Sequence, residues 1–388
     1  MDERMEPETS LDLTACLHSS ASSIPAAAWN ACAGSRNPFI SHDFFMALEE
    51  SGSVAPRNGW LPQHLSLADP AGDIVGIVPL YAKSHSRGEY VFDQGWAEAF
   101  QQAGGRYYPK LQSCVPFSPV PGPRLLHRPG LLPVMLGEAL IQTCQALELS
   151  SVHITFCQQE EAKALEQLGF LSRLGTQYHW QNNGYHSFDD FLGALSSRKR
   201  KQLRRERRDA NEAGLVFKTL RGNDIKPWHW DAFYAFYLDT VDRKWGRAYL
   251  TREFFTALSE RLGDAVILMT ASSDHGLAGA ALNLMGEDAL YGRNWGCRES
   301  YPFLHFELCY YRALDFAIAN GLGRVEAGAQ GEHKIQRGYL PVPTYSAHWI
   351  AHRGLSDAVA SYLAAEKSAM EADMEALATL SPFRKEHG

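Results

Sequence analysis

The strongest constraint on this chain is an order of elements that it runs through twice. In the second half, AVILMTAS (265–272), LAGAALNLM (277–285) and ALYGRNWG (289–296) are apolar segments of strand length parted only by short turns containing Gly and Asp. Turns that short leave an antiparallel meander as the arrangement. Helices over 227–241 and 251–262 precede it, and a helix over 303–320 follows, stopped by Gly321. The strand RVEAGA (324–329), a short helix and the strand TYSAHWI (344–350) complete the unit. The first half reads the same way. A helix over 38–50 has Ser41 as N-cap and Phe44, Phe45 and Leu48 at helical spacing. Strands at 64–67 and 74–80 flank the turn DPAGD, and a helix at 133–148, the strand SVHITF (151–156), a helix at 160–170 and the strand TQYHWQN (176–182) follow. Residues 101–130, rich in Gly and Pro, read as a long loop with no regular element, and such loops often carry function.

At 388 residues the chain exceeds one ordinary core and fits two of similar size. Meander, helix, strand, helix, strand is the order of the acetyltransferase fold. The expected fold is therefore α+β, with two tandem acetyltransferase (GNAT)-like domains built on mixed, mainly antiparallel sheets. The expected layout is a polar leader over 1–35, a first domain over 36–190, a second over 191–354 and a C-terminal helix over 355–388. Leu355, Val359, Tyr362, Leu363, Met370, Met374 and Leu377 give that last helix an apolar stripe.

Composition bounds the function. A charge of −7 argues against coating nucleic acid by bulk electrostatics. Seven cysteines, odd in number and with no Cys-x-x-Cys pair, suggest reduced thiols. The acidic start MDERMEPETS lacks the form of a secretory signal, and no apolar run approaches ~18 residues. These features point to a cytoplasmic protein, with peripheral membrane contact left open. GxSxG, GxxxxGK[ST] and HExxH are all absent, and no histidine has ligand spacing to a cysteine, so no metal is expected. His127, His179 and His186 read as surface or satisfied core residues.

The segment SSRKRKQLRRERRDANEAG (196–214) opens the second half. Between Arg198 and Arg208 it holds eight basic residues and one acid, Glu206. One reading is a solvated charged helix; the other is an anion site in which Arg200, Arg204 and Arg207 face a groove between domains. A second concentration spans 289–341. Tyr291, Arg293 and Trp295 alternate along a strand, which predicts one polar-aromatic face. Asn294 lies within that run, Arg298 and Glu299 follow in the loop, and His305 sits near a helix start, where the macrodipole favours neutral imidazole. Glu326, Gln330, Glu332, His333, Lys334 and Arg337 crowd a strand end and the next turn. The alternative for Glu326 and Arg337 is a buried ion pair bracing the last strands.

The run LHFELCYYRALDFAIANGLGRVEAGAQGEHKIQRGYLPVPTYSAHWI resembles the signature of bacterial proteins described as Fem-like, or predicted N-acyltransferases. PFISHDFF, GWLPQHLSL, IVGIVPLY, SVHITF and SSRKRKQLRRERR resemble the same family, so the likeness covers roughly residues 35–350. It implies two acetyltransferase-like domains, N-acyl transfer and a link to peptidoglycan biosynthesis or recognition. It also implies kinship with enzymes that move amino acids from aminoacyl-tRNA onto cell-wall precursors. One departure stands out. Acetyltransferases carry an Arg/Gln-x-x-Gly-x-Gly/Ala loop whose backbone N–H groups hold the CoA pyrophosphate; here that place reads GCRESYPFLHF, with Pro302 and no Gly-x-Gly. Acetyl-CoA is therefore the weaker donor, and aminoacyl-tRNA or a carrier-bound acyl group the stronger.

Amide formation needs a neutral amine, a route for its proton and a home for the oxyanion. Glu326 or His333 is the candidate base, and backbone N–H groups near Asn294–Gly296 face the oxyanion. Lys334 and Arg337 neutralise an anionic substrate group, with Tyr291, Asn294, Trp295, Arg298 and His305 as further binding residues. No tightly bound cofactor is expected. The partners are an activated acyl donor (aminoacyl-tRNA, acyl carrier or acyl-CoA) and an amine acceptor such as a cell-wall precursor. The rival readings are a non-catalytic module that binds such a precursor or another polyanion, and a CoA-dependent acetyltransferase with a diverged loop.

Overall fold

The computed structural model describes residues 12–243, 246–328 and 331–384. The first half comprises β1 (Thr14–His18), α1 (Ala26–Ala33), α2 (His42–Glu50), β2 (Trp60–Pro62), β3 (His64–Ala68), β4 (Ile74–Val78), β5 (Leu80–Lys83), α3 (Gln94–Gln102), β6 (Lys110–Ser113), β7 (Leu126–His127), α4 (Pro133–Ala146), β8 (Ser151–Cys157), α5 (Gln159–Glu166) and β9 (Leu171–Gln181). The second comprises α6 (Phe188–Ala194), α7 (Ser197–Asn211), β10 (Val216–Arg221), α8 (Pro227–Arg243), α9 (Arg252–Leu262), β11 (Val266–Ser273), β12 (Gly276–Met285) and β13 (Ala289–Cys297). A helix follows as α10 (Leu304–Phe306), a π-turn over Glu307–Tyr311 and α11 (Arg312–Ala319), then β14 (Arg324–Glu326), β15 (Leu340–Ile350) and α12 (Arg353–Ala378).

The fold is α+β, with two sheets. A four-stranded sheet runs β1-β3-β4-β7, and an eleven-stranded sheet runs β10-β11-β12-β13-β14-β9-β15-β8-β6-β5-β2. Among the described residues only β13/β14 and β6/β8 are parallel, and every other pair is antiparallel. The two halves exchange their last strands. β9 pairs with β14 through Glu326↔His179, and β15 pairs with β8 through Ala347↔Ile154. The sheet thus runs across the boundary placed at 190–191.

Several local expectations meet the structure directly. Ser41 caps α2, its side chain accepting from the Phe44 N–H. The meander is present as β11, β12 and β13. The leader differs from expectation: from residue 12 on it contributes β1 and α1, because an Ala-rich helix can insert Trp29, which is fully buried and donates its indole N–H to the Ile40 carbonyl at 2.8 Å. Residues 1–11 lie outside the described part. The 101–130 segment also holds regular structure, since β6 sits inside it between β5 and β8. Its KLQS sequence hides the strand: Lys110 is buried, and its ammonium is satisfied by Glu89 at 2.7 Å and Asp93 at 2.6 Å.

Candidate active site

β13 and β14 run in register through Ala289↔Arg324, Leu290↔Val325 and Tyr291↔Glu326, and their pairing ends there. β14 continues along β9, with the Ala327 N–H donating to the Tyr178 carbonyl at 3.3 Å. From Gly292 onward the edge of β13 that faced β14 has no strand partner among the described residues. A cavity of about 510 Å³ occupies the opening, lined among others by Asn283, Arg293, Asn294, Trp295, His305, Cys309, Tyr310, Ala327, His333 and Lys334.

A β-bulge shapes this edge. Asn283 pairs with Gly292 and Ala281 with Trp295, so Arg293 and Asn294 together oppose Leu282. The extra residue reverses the side-chain alternation. Tyr291 enters the core beneath α2 and α9, while Trp295 packs on the opposite face against the 304–319 helix. The single face expected for Tyr291, Arg293 and Trp295 is therefore broken, and Tyr291 lines a separate groove with Arg324 and Asp288.

His333 stands at the cavity edge in the 3-10 turn Glu332–Arg337, its Nε2 3.0 Å from the Tyr310 hydroxyl. Partial burial, reinforced by the Arg337 and Lys334 cations, holds its pKa below the ordinary histidine value, so neutral imidazole is the resting form. Burial raises the Tyr310 phenol, which stays protonated. Lys334 is buried and donates to the carbonyls of Ala327 at 2.6 Å and Gly328 at 3.1 Å; burial lowers it to about 8. The rings of Trp295 and His305 lie 4.5 Å apart on the same wall.

Glu326 is not brought into this group. Its carboxylate leaves β14 on the side of Tyr291 and does not line the cavity. Arg324 donates to Oε1 at 2.9 Å, while Oε2 has no hydrogen bond and lies 3.9 Å from His179 Nε2. Burial raises it to about 6, against the pull of Arg324, Arg293 and Arg124. Of the two candidate bases, His333 lines the cavity, partnered by Tyr310, and Glu326 does not. The alternative reading, a Glu326–Arg337 ion pair, does not hold either. Arg337 pairs instead with Glu206 at 2.7 Å, both buried, and lies 3.3 Å over the Phe306 ring. Arg298 is exposed, bonds the His275 carbonyl at 3.3 Å and lies outside the cavity lining. Gln330 lies outside the described residues.

The basic helix α7 divides in two. Arg204 pairs with Asp189 at 2.9 Å, Arg207 with Asp315 and Glu307, and Arg205 and Arg208 with Asp209. The free row expected of Arg200, Arg204 and Arg207 fails at the last two, because the chain's own carboxylates reach them. Among the described residues no carboxylate pairs with Arg198, Lys199, Arg200 or Lys201; Lys199 and Arg200 bond only Gln202 and Ser197.

Sequence reasoning missed Tyr310, Cys309 and Asn283, and passed over Arg293 as a site residue. Asn283 carried a signal, a lone amide in the apolar run LAGAALNLM. Tyr310 did not, since an aromatic helix stripe reads as core.

The first half has the same opening, filled. β6 and β8 pair in parallel through Ser113↔Ile154 and then part. The segment after β6 returns to occupy the gap: the Gly122 N–H donates to the Phe156 carbonyl at 3.0 Å. Arg124, fully buried, donates to the carbonyls of Thr155 at 3.0 Å, Gly122 at 3.0 Å, Pro123 at 3.1 Å and Val120 at 2.5 Å.

A family described as FemAB-like, in peptidoglycan biosynthesis/recognition, matches residues 20–385. The chain belongs to the FemAB-like family. Among solved structures, FemX is similar at 10% identity with a TM-score of 0.54, over 89% of this chain and 100% of that one. A tandem GNAT protein from the clavulanic acid biosynthesis pathway is similar at 14% identity (TM-score 0.49, 88% and 99% covered), and L-PGS from Bacillus licheniformis at 10% (TM-score 0.49, 90% and 98% covered). No curated protein matches the sequence. Family and fold are consistent with acyltransferase activity. Among the described residues no group of three or more His, Cys, Asp and Glu is placed to hold a metal ion, and no helix is long and apolar enough to cross a membrane.

Proposed function

We propose that this FemAB-like protein is an N-acyltransferase built of two tandem acetyltransferase-like domains, with its reaction site in the second-half cavity. The observation that carries the reading is the parting of β13 and β14, which puts an unpaired strand edge and an imidazole–phenol pair in one cavity. An amine acceptor attacks the carbonyl carbon of an activated ester or thioester there. Neutral His333 takes the proton that the amine nitrogen loses, and the tetrahedral oxyanion lies along the β13 edge at Arg293–Trp295, with backbone N–H groups of that edge as its donors. Collapse expels the leaving group, which Tyr310 supplies with a proton while recovering one from the His333 imidazolium 3.0 Å away, so that both residues return to their neutral forms. Trp295 and His305 form the wall against the acyl chain.

The loop GCRESYPFLHF between β13 and α10 favours a donor other than acetyl-CoA, such as aminoacyl-tRNA or a carrier-bound acyl group. The uncompensated end of α7, Arg198–Lys201, is the surface suited to a donor's phosphates, and a cell-wall precursor is the acceptor that the family description suggests.

The test is to incubate the protein with charged tRNA, acyl-CoA or acyl carrier protein and candidate amines, and to follow acyl transfer by mass spectrometry. Transfer that His333→Gln abolishes while donor binding persists is the expected result. Binding of a precursor without transfer from any donor would assign the cavity to recognition instead.

A further inference from the structure

Arg293 brings a positive charge to the cavity wall. The bulge places its side chain between the main cavity and a narrow apolar slot lined by Phe39, Phe44, Leu282 and Leu284. Its guanidinium lies 5.5 Å from the Phe39 ring centroid. Among the described residues it makes no hydrogen bond and no ion pair. Several other partly or fully buried arginines have ion-pair or carbonyl partners, Arg337 with Glu206, Arg207 with Asp315, Arg324 with Glu326 and Asp288, and Arg124 with four carbonyls, while the Nε of Arg128 and of Arg337 has no hydrogen bond among the described residues. Glu326 and Tyr90 favour its charge from beyond ion-pair distance, and burial works against it. A guanidinium stays ionised even when poorly solvated, so it needs an acceptor.

The rest of the cavity agrees in sign. Lys334 commits two N–H groups to carbonyls, which leaves a third, and among the described side chains no Asp or Glu lines the space. Asn283 and Asn294 supply neutral polar groups beside the two cations. Of the two residues assigned this task by sequence, Lys334 lines the cavity and Arg337 is locked to Glu206.

We propose that the cavity takes a substrate bearing an oxyanion, a carboxylate or a phosphate, and that Arg293 seats it. The proposal deepens the acyl-transfer reading and rests on it for the word substrate, but its test needs no turnover. Thermal unfolding of the whole protein is followed while inorganic phosphate or malonate is titrated at constant ionic strength, for the parent, Arg293→Met and Arg293→Lys. One or both anions are expected to raise the parent's Tm saturably, and the anion that does so identifies the group. Arg293→Met is expected to melt at or above the parent without ligand, since a charge that burial disfavours is gone, and to bind the effective anion at least about tenfold more weakly. Arg293→Lys should recover part of that loss. A parent with no saturable shift from either anion, or an Arg293→Met protein that keeps the parent's affinity, overturns the proposal. An Arg293-dependent shift in a protein that transfers no acyl group sinks the acyl-transfer reading alone.

Discussion

In the first half the gap beyond Ser113 and Ile154 is occupied by the chain itself, and in the second the gap beyond Tyr291 and Glu326 holds a cavity. Each gap has an arginine beside it. Arg124 gives its N–H groups to four backbone carbonyls; Arg293 gives its own to none among the described residues. The same strand geometry therefore holds a bonded arginine in one half and, in the other, an arginine with no hydrogen-bond partner among the described residues. Arg293 is partly buried and lines the cavity, so its unpaired N–H groups are open to a ligand there.

The sharpest test of that contrast is catalytic. His333→Gln should lower kcat by about 10²–10⁴-fold, the range for a lost general base, while fold and donor affinity persist. The acid limb of kcat/KM should lie below pH 6.5, where His333 gains its proton, and an alkaline limb near pH 8 should vanish in Lys334→Met. A kcat unmoved by His333→Gln would place the chemistry elsewhere.

Next in size is stability. Arg124→Met orphans four carbonyls and should cost about 3 kcal/mol in urea unfolding, whereas Arg293→Met should change stability by less than about 1 kcal/mol or raise it. Equal losses at the two sites would erase the difference between the halves.

Glu326 offers a smaller effect with a defined sign. Its folded pKa is raised to about 6 from 4.5, chiefly by burial. The stability it contributes is complete below pH 4.5 and is lost as pH rises through about 6. Glu326→Gln should therefore match the parent at pH 4 and exceed it by about 2 kcal/mol at pH 8, at 1.36 kcal/mol per pKa unit. A gap that does not open with pH would mean that the Arg324 pairing outweighs burial.

The smallest effect belongs to α7. The Arg204–Asp189 pair is exposed on both sides, 59% and 78%, so Arg204→Gln should alter stability by under about 0.5 kcal/mol. A larger change would show that the helix depends on this pairing more than its exposure allows.

Much of the candidate site was legible because ionisable groups crowded short segments. Asn294, Trp295, His305, His333 and Lys334, drawn from three elements, all line one cavity. The same logic failed where a charge was answered at long range. Glu206, the lone acid in a basic run, holds Arg337 across 131 residues, and no spacing rule reaches that far. β6 was lost for a related reason. Lys110 and Gln112 read as loop residues because their partners, Glu89, Asp93 and Thr155, are named only by the fold.

The apolar runs of β11 to β13, the Ser41 cap and the amphipathic α12 are local patterns, set by residues within a few positions of one another, and were legible for that reason. Only the tertiary structure decided that β9 and β15 change places between the halves, that a one-residue bulge at Arg293–Asn294 turns Trp295 to the face opposite Tyr291, and that one gap closes while its counterpart stays open. Each depends on which strand edge is left free once the others have paired. A backbone edge offers the same N–H and C=O groups whatever its side chains, so the choice falls to packing across the whole molecule.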